Sequence, residues 1–379
     1  MSRLSIANTV SDLIQGDVRE HMPLERIPLD GDVLGLGTTT SLDNGELAFL
    51  HRAGEGSTHI WKGQAHDGGV RRLTVGDGRD HFPYVCFSED MSGRGVAVDI
   101  AALGGTPGER LQPLIQRAIA QLNASGALAG APVYGIRLLA HWDSLIITVS
   151  SKLCLGEAQR NRGVARPVGS GAESIDGGDL YACLPHFRLG RSVPAAVADP
   201  IRTLGPSLSW DCCGFWDTEP ERGRLTVPVA GAHLHLHGCS TDLRHGGHLR
   251  HEHGETRLNR LERLVLYPFT SLQSLGSDLA VEDLERVDTD AGPEIRFRVA
   301  NRGELDVSDV GVAVVVDDSY SGHRYLRLPW LAAGDAETFA LPMPLAPGRH
   351  RIQVIADPEQ SVIERVRGNN GAELELQLP

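Results

Sequence analysis

Residues 233–253 read HLHLHGCSTDLRHGGHLRHEH, and this stretch holds seven of the sixteen histidines in the chain. Its first three histidines, His233, His235 and His237, alternate with leucines. Successive side chains of a β-strand point to opposite faces, so an extended chain here places all three imidazoles on one face. The pattern therefore predicts a strand that buries its leucines and presents a row of nitrogen donors.

The glycines of the same stretch predict a turn. Gly238 and the pair Gly246–Gly247 bracket a segment that can reverse and bring His248 back beside the first strand. Two imidazoles from one strand and a third from its partner form the three-nitrogen arrangement, with an open position, that catalytic divalent metals favour. We therefore predict a metal site, with a histidine-rich polar hairpin as the alternative interpretation.

Composition indicates an ordinary globular protein with an acidic surface. The chain has 379 residues, a net charge of −13 and 22% charged residues. Nucleic-acid binding needs a basic footprint, so this charge argues against a nucleic-acid partner. From Ser277 to the end the chain has nineteen acidic and ten basic residues, a net charge of −9, which leaves −4 for the rest. This step in charge predicts a domain boundary.

Short apolar runs separated by turn residues predict a mainly β (α+β) protein. Between Gly31 and Ile100 they read as strands, and one amphipathic helix follows. Because of Pro113, this helix is predicted either to begin near Gln112 or to be kinked. VYGIRLLAHWDSLIITVSS, at 133–151, is predicted to form a pair of strands. The last hundred residues alternate apolar and polar side chains in short runs, which is typical of a β-sandwich.

The absence of targeting signals and the spacing of the cysteines predict the cellular compartment. The N-terminus lacks the continuous apolar segment of a secretory signal, and no stretch has the ~18 apolar residues of a membrane span. The six cysteines are scattered without C-x-x-C spacing, which excludes a disulfide scaffold. We therefore predict a cytoplasmic protein with no membrane span.

The N-terminal part, about residues 5–270, resembles the α-acetolactate decarboxylase family. The resemblance rests on TVSDLIQGDV, on GDVLGLGTTTSLDNGELAFL at 31–50, and above all on HLHGCSTDLRHGGH at 235–248. It implies the mixed β-fold of that family, a Zn²⁺ ion or another divalent transition metal, and a small keto-acid substrate. The implied reaction is decarboxylation of a 2-hydroxy-3-oxo acid, in which the metal polarises ketone and hydroxyl and stabilises the enediolate left by CO₂.

The resemblance implies a set of site residues. The zinc ligands become His235, His237 and His248, and Glu46 becomes the carboxyl group that protonates the enediolate. A different alignment, anchored upstream, selects His233 in place of His237. Both alignments use the same strand face because the shift is even, and we prefer the first because it needs no gap.

Two departures from the family pattern leave other functions open. Where the family has an arginine that holds the substrate carboxylate, HWDSLIITVSSK offers Ser151 or Lys152, and Lys152 is one of only two lysines. The late second glutamate of the family has no clear counterpart. The alternatives are a metal-dependent isomerase, hydrolase or cyclase on the same fold, and a non-catalytic binding or scaffold protein with a degenerate lyase domain.

The tail resembles the bacterial cell-adhesion-related (CARDB) domain, an immunoglobulin-like sandwich. The matching pieces include FRVANRGELDVSD and GRHRIQVIADPEQSVIERVRGNN. We therefore predict a metal-binding domain at 1–272 and a sandwich at 278–379. Such domains serve attachment, so the resemblance implies a second copy of the chain or a protein partner bound through the sandwich.

Overall fold

The protein was examined as a computed structural model, which describes residues 2–15, 21–39, 45–52, 54–74, 81–104, 108–150, 184–190, 201–362 and 364–378. The chain divides into two compact units. The first comprises Met1–Val18 and Met22–Ser274, and the second comprises Arg19–His21 and Leu275–Pro379. Strands predominate in both, which confirms the mainly β fold class.

Three α-helices lie among the described residues, all in the first unit: α1 (Val10–Gln15), α2 (Ile100–Leu103) and α3 (Leu111–Ala124). Short 3₁₀ turns form at Leu24–Arg26 and Pro220–Arg222. Pro113 lies in the first turn of α3, where its missing N–H has no partner to lose. No helix in the described part of the chain is long and apolar enough to cross a membrane.

The strands of the first unit are numbered in chain order. They are β1 (Arg3–Ala7), β2 (Met22–Pro23), β3 (Val33–Thr39), β4 (Gly45–Leu50), β5 (His59–Gly63), β6 (Val70–Arg72), β7 (His81–Phe82), β8 (Tyr84–Asp90), β9 (Val96–Ala97), β10 (Val133–Thr148), β11 (His186–Gly190), β12 (Arg202–Leu204), β13 (Ser209–Asp217), β14 (Leu234–Ser240), β15 (Gly246–Leu249), β16 (Arg257–Phe269) and β17 (Ser271–Leu275). One sheet has the order β17-β1-β8-β3-β4-β5-β6, and β2 pairs with β7 alone.

A second sheet has the order β12-β11-β10-β13-β14-β15, with β16 on β10 and β9 on β16. Strand β15 also pairs with the end of β10, so β10, β13, β14 and β15 close a ring of pairings. Helix α3 packs its apolar stripe into the core of this sheet. The ring brings the end of β10 beside the predicted histidine hairpin.

The predicted strand pair at 133–151 is wrong. Residues Val133–Thr148 form one strand of sixteen residues, with register shifts against β16 near Ala140 and Trp142. The segment contains no Gly-Asn or Pro-Gly turn. At Trp142 and Asp143 the strand continues with a shift of register against β16 and does not reverse. This long strand therefore pairs with four others along its length, β11, β13, β15 and β16.

A buried ion pair joins the two sheets of the first unit. Arg137, on β10, donates from Nε to Asp32 Oδ1 over 2.7 Å, and its other nitrogens donate to the carbonyls of Phe49 and Val33, each over 2.8 Å. Tyr267 donates its hydroxyl to the second oxygen of Asp32 over 2.8 Å. Both oxygens of the carboxylate thus have hydrogen-bond partners and both side chains are largely buried. Full pairing is the condition for a buried ion pair to be tolerated.

Breaking this pair should destabilise the first unit strongly. We expect Arg137→Met to lower the free energy of unfolding by about 3–5 kcal/mol, because it leaves the Asp32 carboxylate buried without its counter-ion. The matched Arg94→Met change breaks the exposed Arg94–Glu89 pair and should cost about 1 kcal/mol or less. Urea denaturation followed by tryptophan fluorescence measures both, and equal effects of the two changes would contradict the argument.

The second unit is a two-layered β-structure. Its strands are β18 (Leu279–Thr289), β19 (Gly292–Asn301), β20 (Val307–Val316), β21 (Ser319–Leu331), β22 (Ala336–Pro342), β23 (Gly348–Ala356) and β24 (Gly371–Leu378). They form a sheet β18-β19-β22 and a sheet β21-β20-β23-β24, which share one apolar core. This confirms the predicted C-terminal β-sandwich.

Candidate metal centre

The histidine stretch forms the predicted hairpin. Strands β14 and β15 pair antiparallel, with His237 directly opposite His248. Residues directly opposite each other in an antiparallel pair project to the same face, and His235 shares that face by the two-residue period. The three rings converge, with centroids 4.8, 4.9 and 5.4 Å apart, and one ligand atom from each lies within 4.8 Å of the other two.

Two glycines make this close packing of strands feasible. A Cβ on Gly214, in β13, would lie 2.0 Å from the carbonyl oxygen of His235. A Cβ on Gly247 would lie 2.8 Å from the carbonyl oxygen of Thr148, at the closure of β15 on β10. Both distances are below any real Cβ contact, so larger residues would push apart the strands that bring the rings together.

Backbone carbonyls fix the orientation of two of the rings. His237 donates from Nδ1 to the carbonyl of Leu47 over 2.8 Å, and His235 donates from Nδ1 to the carbonyl of Leu225. A carbonyl oxygen only accepts, so Nδ1 carries the proton in both rings. In the neutral imidazoles the remaining nitrogen, Nε2, then presents a bare lone pair, which is the arrangement seen in metal-ligating histidines.

The geometry of those lone pairs fits a bound cation. The Nε2 atoms of His235 and His237 lie 3.1 Å apart, so two acceptors face each other unless a proton or a cation lies between or beside them. Burial lowers the pKa of His235 to about 3, helped by neighbouring His237, and burial lowers the pKa of His237 to about 4. A second proton is therefore disfavoured at neutral pH, and a divalent metal suits this donor set.

The third ring has the same electrostatic environment. Burial lowers the pKa of His248 well below its usual value, and the neighbouring His235 and His237 lower it further. All three residues line one cavity of about 390 Å³ in the first unit. The donor set therefore opens onto a space large enough to admit a small organic molecule.

Glu46 lies at the same cavity, on β4 of the first sheet. Its Oε2 is 3.6 Å from His237 Nε2, and its Oε1 accepts from the backbone N–H of Ser150 over 2.9 Å. Burial raises the pKa of Glu46 to about 7, against the hydrogen bonds from Ser150, which lower it. In the metal-free protein this carboxyl group is thus poised to exchange a proton near neutral pH.

The remaining predicted residues lie elsewhere. His233 stacks on Trp216 with ring centroids 4.9 Å apart and hydrogen-bonds from Nδ1 to the carbonyl of Asp217 over 2.8 Å, outside the histidine group. Lys152 and Ser151 fall outside the described residues. His251 is buried at the cavity wall, where its Nε2 donates to the carbonyl of Leu234 over 3.1 Å.

Sequence reasoning missed several residues of the cavity. Thr38 and Ser150 share a hydrogen bond of 2.7 Å between their hydroxyls, and Thr148 lies opposite His248. Arg110, directly before α3, also lines the cavity. No local motif marks these positions, because the pairing of distant strands and the packing of α3 bring them to the site.

One protein-family model matches the C-terminal part of the chain. Residues 277–374 match the CARDB family model. The CARDB domain of a Pyrococcus furiosus protein, solved in complex with di-metal ions, is 25% identical over 27% of this chain and 93% of that one, with a TM-score of 0.22. No curated protein matches the chain in sequence.

Two solved structures are similar to a large part of the chain. α-Acetolactate decarboxylase from Bacillus subtilis strain 168 is 15% identical over 72% of this chain and 88% of that one, with a TM-score of 0.43. Acetolactate decarboxylase from Bacillus subtilis subspecies spizizenii is 16% identical over 72% of this chain and 89% of that one, with a TM-score of 0.42. Both are members of the family that the histidine motif resembles.

Matched asparagine substitutions should separate the two alignments of the histidine motif. An asparagine side chain can keep an N–H group near the position of Nδ1, but it lacks the Nε2 atom that would bind the metal. We expect His237→Asn to weaken zinc binding at least about a hundredfold, since even the hydrogen-bond partners of metal ligands contribute ten- to hundredfold. His233→Asn should keep full zinc content. Elemental analysis after dialysis measures both, and the reverse result would select the His233 alignment.

Proposed function

We propose that the first unit is a metal-dependent lyase that decarboxylates a 2-hydroxy-3-oxo acid, such as acetolactate, or a related β-keto acid. The observation that carries this proposal is the convergence of three imidazoles, one buried and two partly buried, beside a carboxyl group of raised pKa in one cavity. The HLHGCSTDLRHGGH motif adds support through its resemblance to the decarboxylase family. Neutral donors, a proton source and an enclosed space are the parts that this chemistry needs.

His235, His237 and His248 would hold the metal, which we infer to be Zn²⁺ or another divalent transition metal. When bound, such an ion supplies Lewis acidity toward the ketone and hydroxyl oxygens of the substrate. The residues themselves fix the donors in place. The Leu47 and Leu225 carbonyls hold two rings with Nε2 toward the cavity, so little reorganisation is needed on binding.

Glu46 is the proton donor in this proposal. The carbon that loses CO₂ must take up a proton, and a carboxyl group with a pKa of about 7 is protonated in a large fraction of molecules at neutral pH. Ser150 positions it through its backbone N–H, and the hydroxyl of Thr38 in turn contacts the hydroxyl of Ser150. The proton therefore comes from one fixed side of the cavity, which predicts a single product enantiomer.

The second unit has a different task in our proposal. Its match to the CARDB family suggests attachment or assembly, with a second copy of the chain or a protein partner as the bound species. A cytoplasmic location stays a prediction from the sequence. The proposed chemistry needs neither a bound partner nor a particular location, because every described residue of the cavity belongs to the first unit.

Turnover of acetolactate tests the proposal directly. The zinc-loaded full chain, incubated with racemic acetolactate, should release CO₂ and form acetoin, and removal of the metal by a chelator should stop the reaction until zinc is restored. Acetoin detection and CO₂ release are measured together. Conversion of 2-oxo acids without CO₂ release would favour an isomerase, hydrolase or cyclase, and absence of both metal and turnover would favour a binding or scaffold protein.

The role of Glu46 predicts a selective loss of rate. Glu46→Gln keeps the shape and the acceptor for Ser150 but cannot give up a carboxyl proton, so we expect kcat to fall by about 10²–10⁴-fold. Zinc content should be unchanged, because the three imidazoles remain. Glu89→Gln, which alters a surface carboxylate, is the matched control. A Glu46→Gln protein with full activity would remove this residue from the mechanism.

A further inference from the structure

Arg110 gives the cavity a positive charge at its mouth. The residue immediately precedes α3, its side chain is exposed, and it lines the same cavity as the three histidines and Glu46. It forms no ion pair with any residue that the structure describes. By contrast Arg250, in the neighbouring segment, is paired with Glu252, a second acidic residue of the cavity wall. The charge of Arg110 is thus available to a ligand.

Arg110 and the three histidines line the same cavity. The positive charge of Arg110 acts on buried His251, whose pKa is lowered first by burial and also by Arg250 and Arg110. An anionic group bound at Arg110 and oxygen donors directed at the three imidazoles can therefore belong to one small molecule.

The other described residues of the cavity wall restrict where the carboxylate of a ligand can bind. Val10, Leu13 and Ile14 of α1 line one side with Val227 and Leu234, and none of these can solvate a charge. Glu46 would repel an anion when ionised, and Glu252 already neutralises Arg250. Burying an unpaired carboxylate against apolar side chains is costly, and Arg110 is the arginine that the described residues of this wall offer to pair with it.

The first turn of α3 adds to the same field. Helix α3 has fourteen residues, and Arg110, Gln112 and Pro113 at its start face the cavity. The N-terminus of a helix carries a partial positive charge, which favours an anion close to the first turn. This contribution is secondary to the guanidinium group, whose planar N–H donors match a carboxylate.

We propose that Arg110 binds the carboxylate of the substrate and thereby selects acids over neutral molecules of the same shape. The inference rests on the proposed function, and it gives Arg110 the task for which the family resemblance offers Ser151 or Lys152. Because the negative charge leaves the carboxylate as CO₂ departs, a cation at that position stabilises the bound substrate at least as much as the transition state, and Arg110 contributes to binding more than to the chemical step. Its loss should raise KM and leave kcat nearly unchanged.

The experiment compares two inert probes on the cobalt(II)-loaded full chain. The acid 2,3-dihydroxy-2-methylbutanoate carries a vicinal diol for the metal and a carboxylate, but it lacks the ketone needed for loss of CO₂. The neutral probe 2-methylbutane-2,3-diol lacks the carboxylate. Visible absorption of the bound cobalt reports entry of either probe. We expect the acid to bind about tenfold tighter than the diol, the scale of a charge-assisted hydrogen bond near solvent.

Substitutions then locate the source of that preference. Arg110→Gln should bring the affinity of the acid down to that of the diol, leave the affinity of the diol unchanged, and keep full metal content. Arg110→Lys should keep part of the preference, since it retains the charge without the planar donors. Arg117→Gln is the matched control, because Arg117 lies two turns along the same helix and pairs with Glu109 over 2.9 Å.

The outcomes separate the two proposals. If Arg110→Gln retains full metal and an undiminished preference for the acid, the carboxylate is held elsewhere and the inference about Arg110 is wrong, while the proposed function stands. If the unaltered chain takes up no metal, or the metal-loaded chain binds neither probe, the proposed function fails and this inference fails with it. With acetolactate as substrate, a fall in kcat at constant KM in Arg110→Gln would also overturn it.

Discussion

The hydrogen bond from His237 Nδ1 to the carbonyl of Leu47 is the interaction on which the site depends. It crosses from the sheet that carries the histidines to the sheet that carries Glu46, so it sets the position of the carboxyl group as well as the tautomer of the ring. The bond from His235 Nδ1 to the Leu225 carbonyl fixes the tautomer of the second ring. Because both carbonyls come from outside the hairpin, the packing of the whole unit orients the donors.

Burial acts in opposite directions on the two kinds of ionisable group in the cavity. It raises the pKa of Glu46 and lowers the pKa values of the three histidines, because a dry environment disfavours whichever form is charged. The metal-free site is therefore close to neutral, which limits the cost of enclosing it. The same neutrality leaves bare nitrogen lone pairs and an undissociated acid, the two states that a metal and a proton transfer require.

The sequence predicted the parts of the site that depend on local pattern. The alternation of His235 and His237 and the Gly246–Gly247 pair determine a hairpin by themselves, so the strand face and the convergence of His248 were correct. The 133–151 segment was predicted wrongly because a register irregularity in a long strand resembles a reversal. Arg110, Ser150 and the Leu47 carbonyl reach the site through contacts between distant segments, which no local pattern encodes.

The pairing of strands β14 and β15 distinguishes His233 from His237, which the two-residue period of a strand does not. A shift of two residues preserves the strand face, so His233 and His237 are equivalent by pattern alone. Two residues span about 6.6–7 Å along a strand, however, and only His237 lies directly opposite His248. Four positions away, His233 stacks on Trp216 and donates to the Asp217 carbonyl. Cross-strand pairing therefore selects His235 and His237 as the donors that can share an ion with His248.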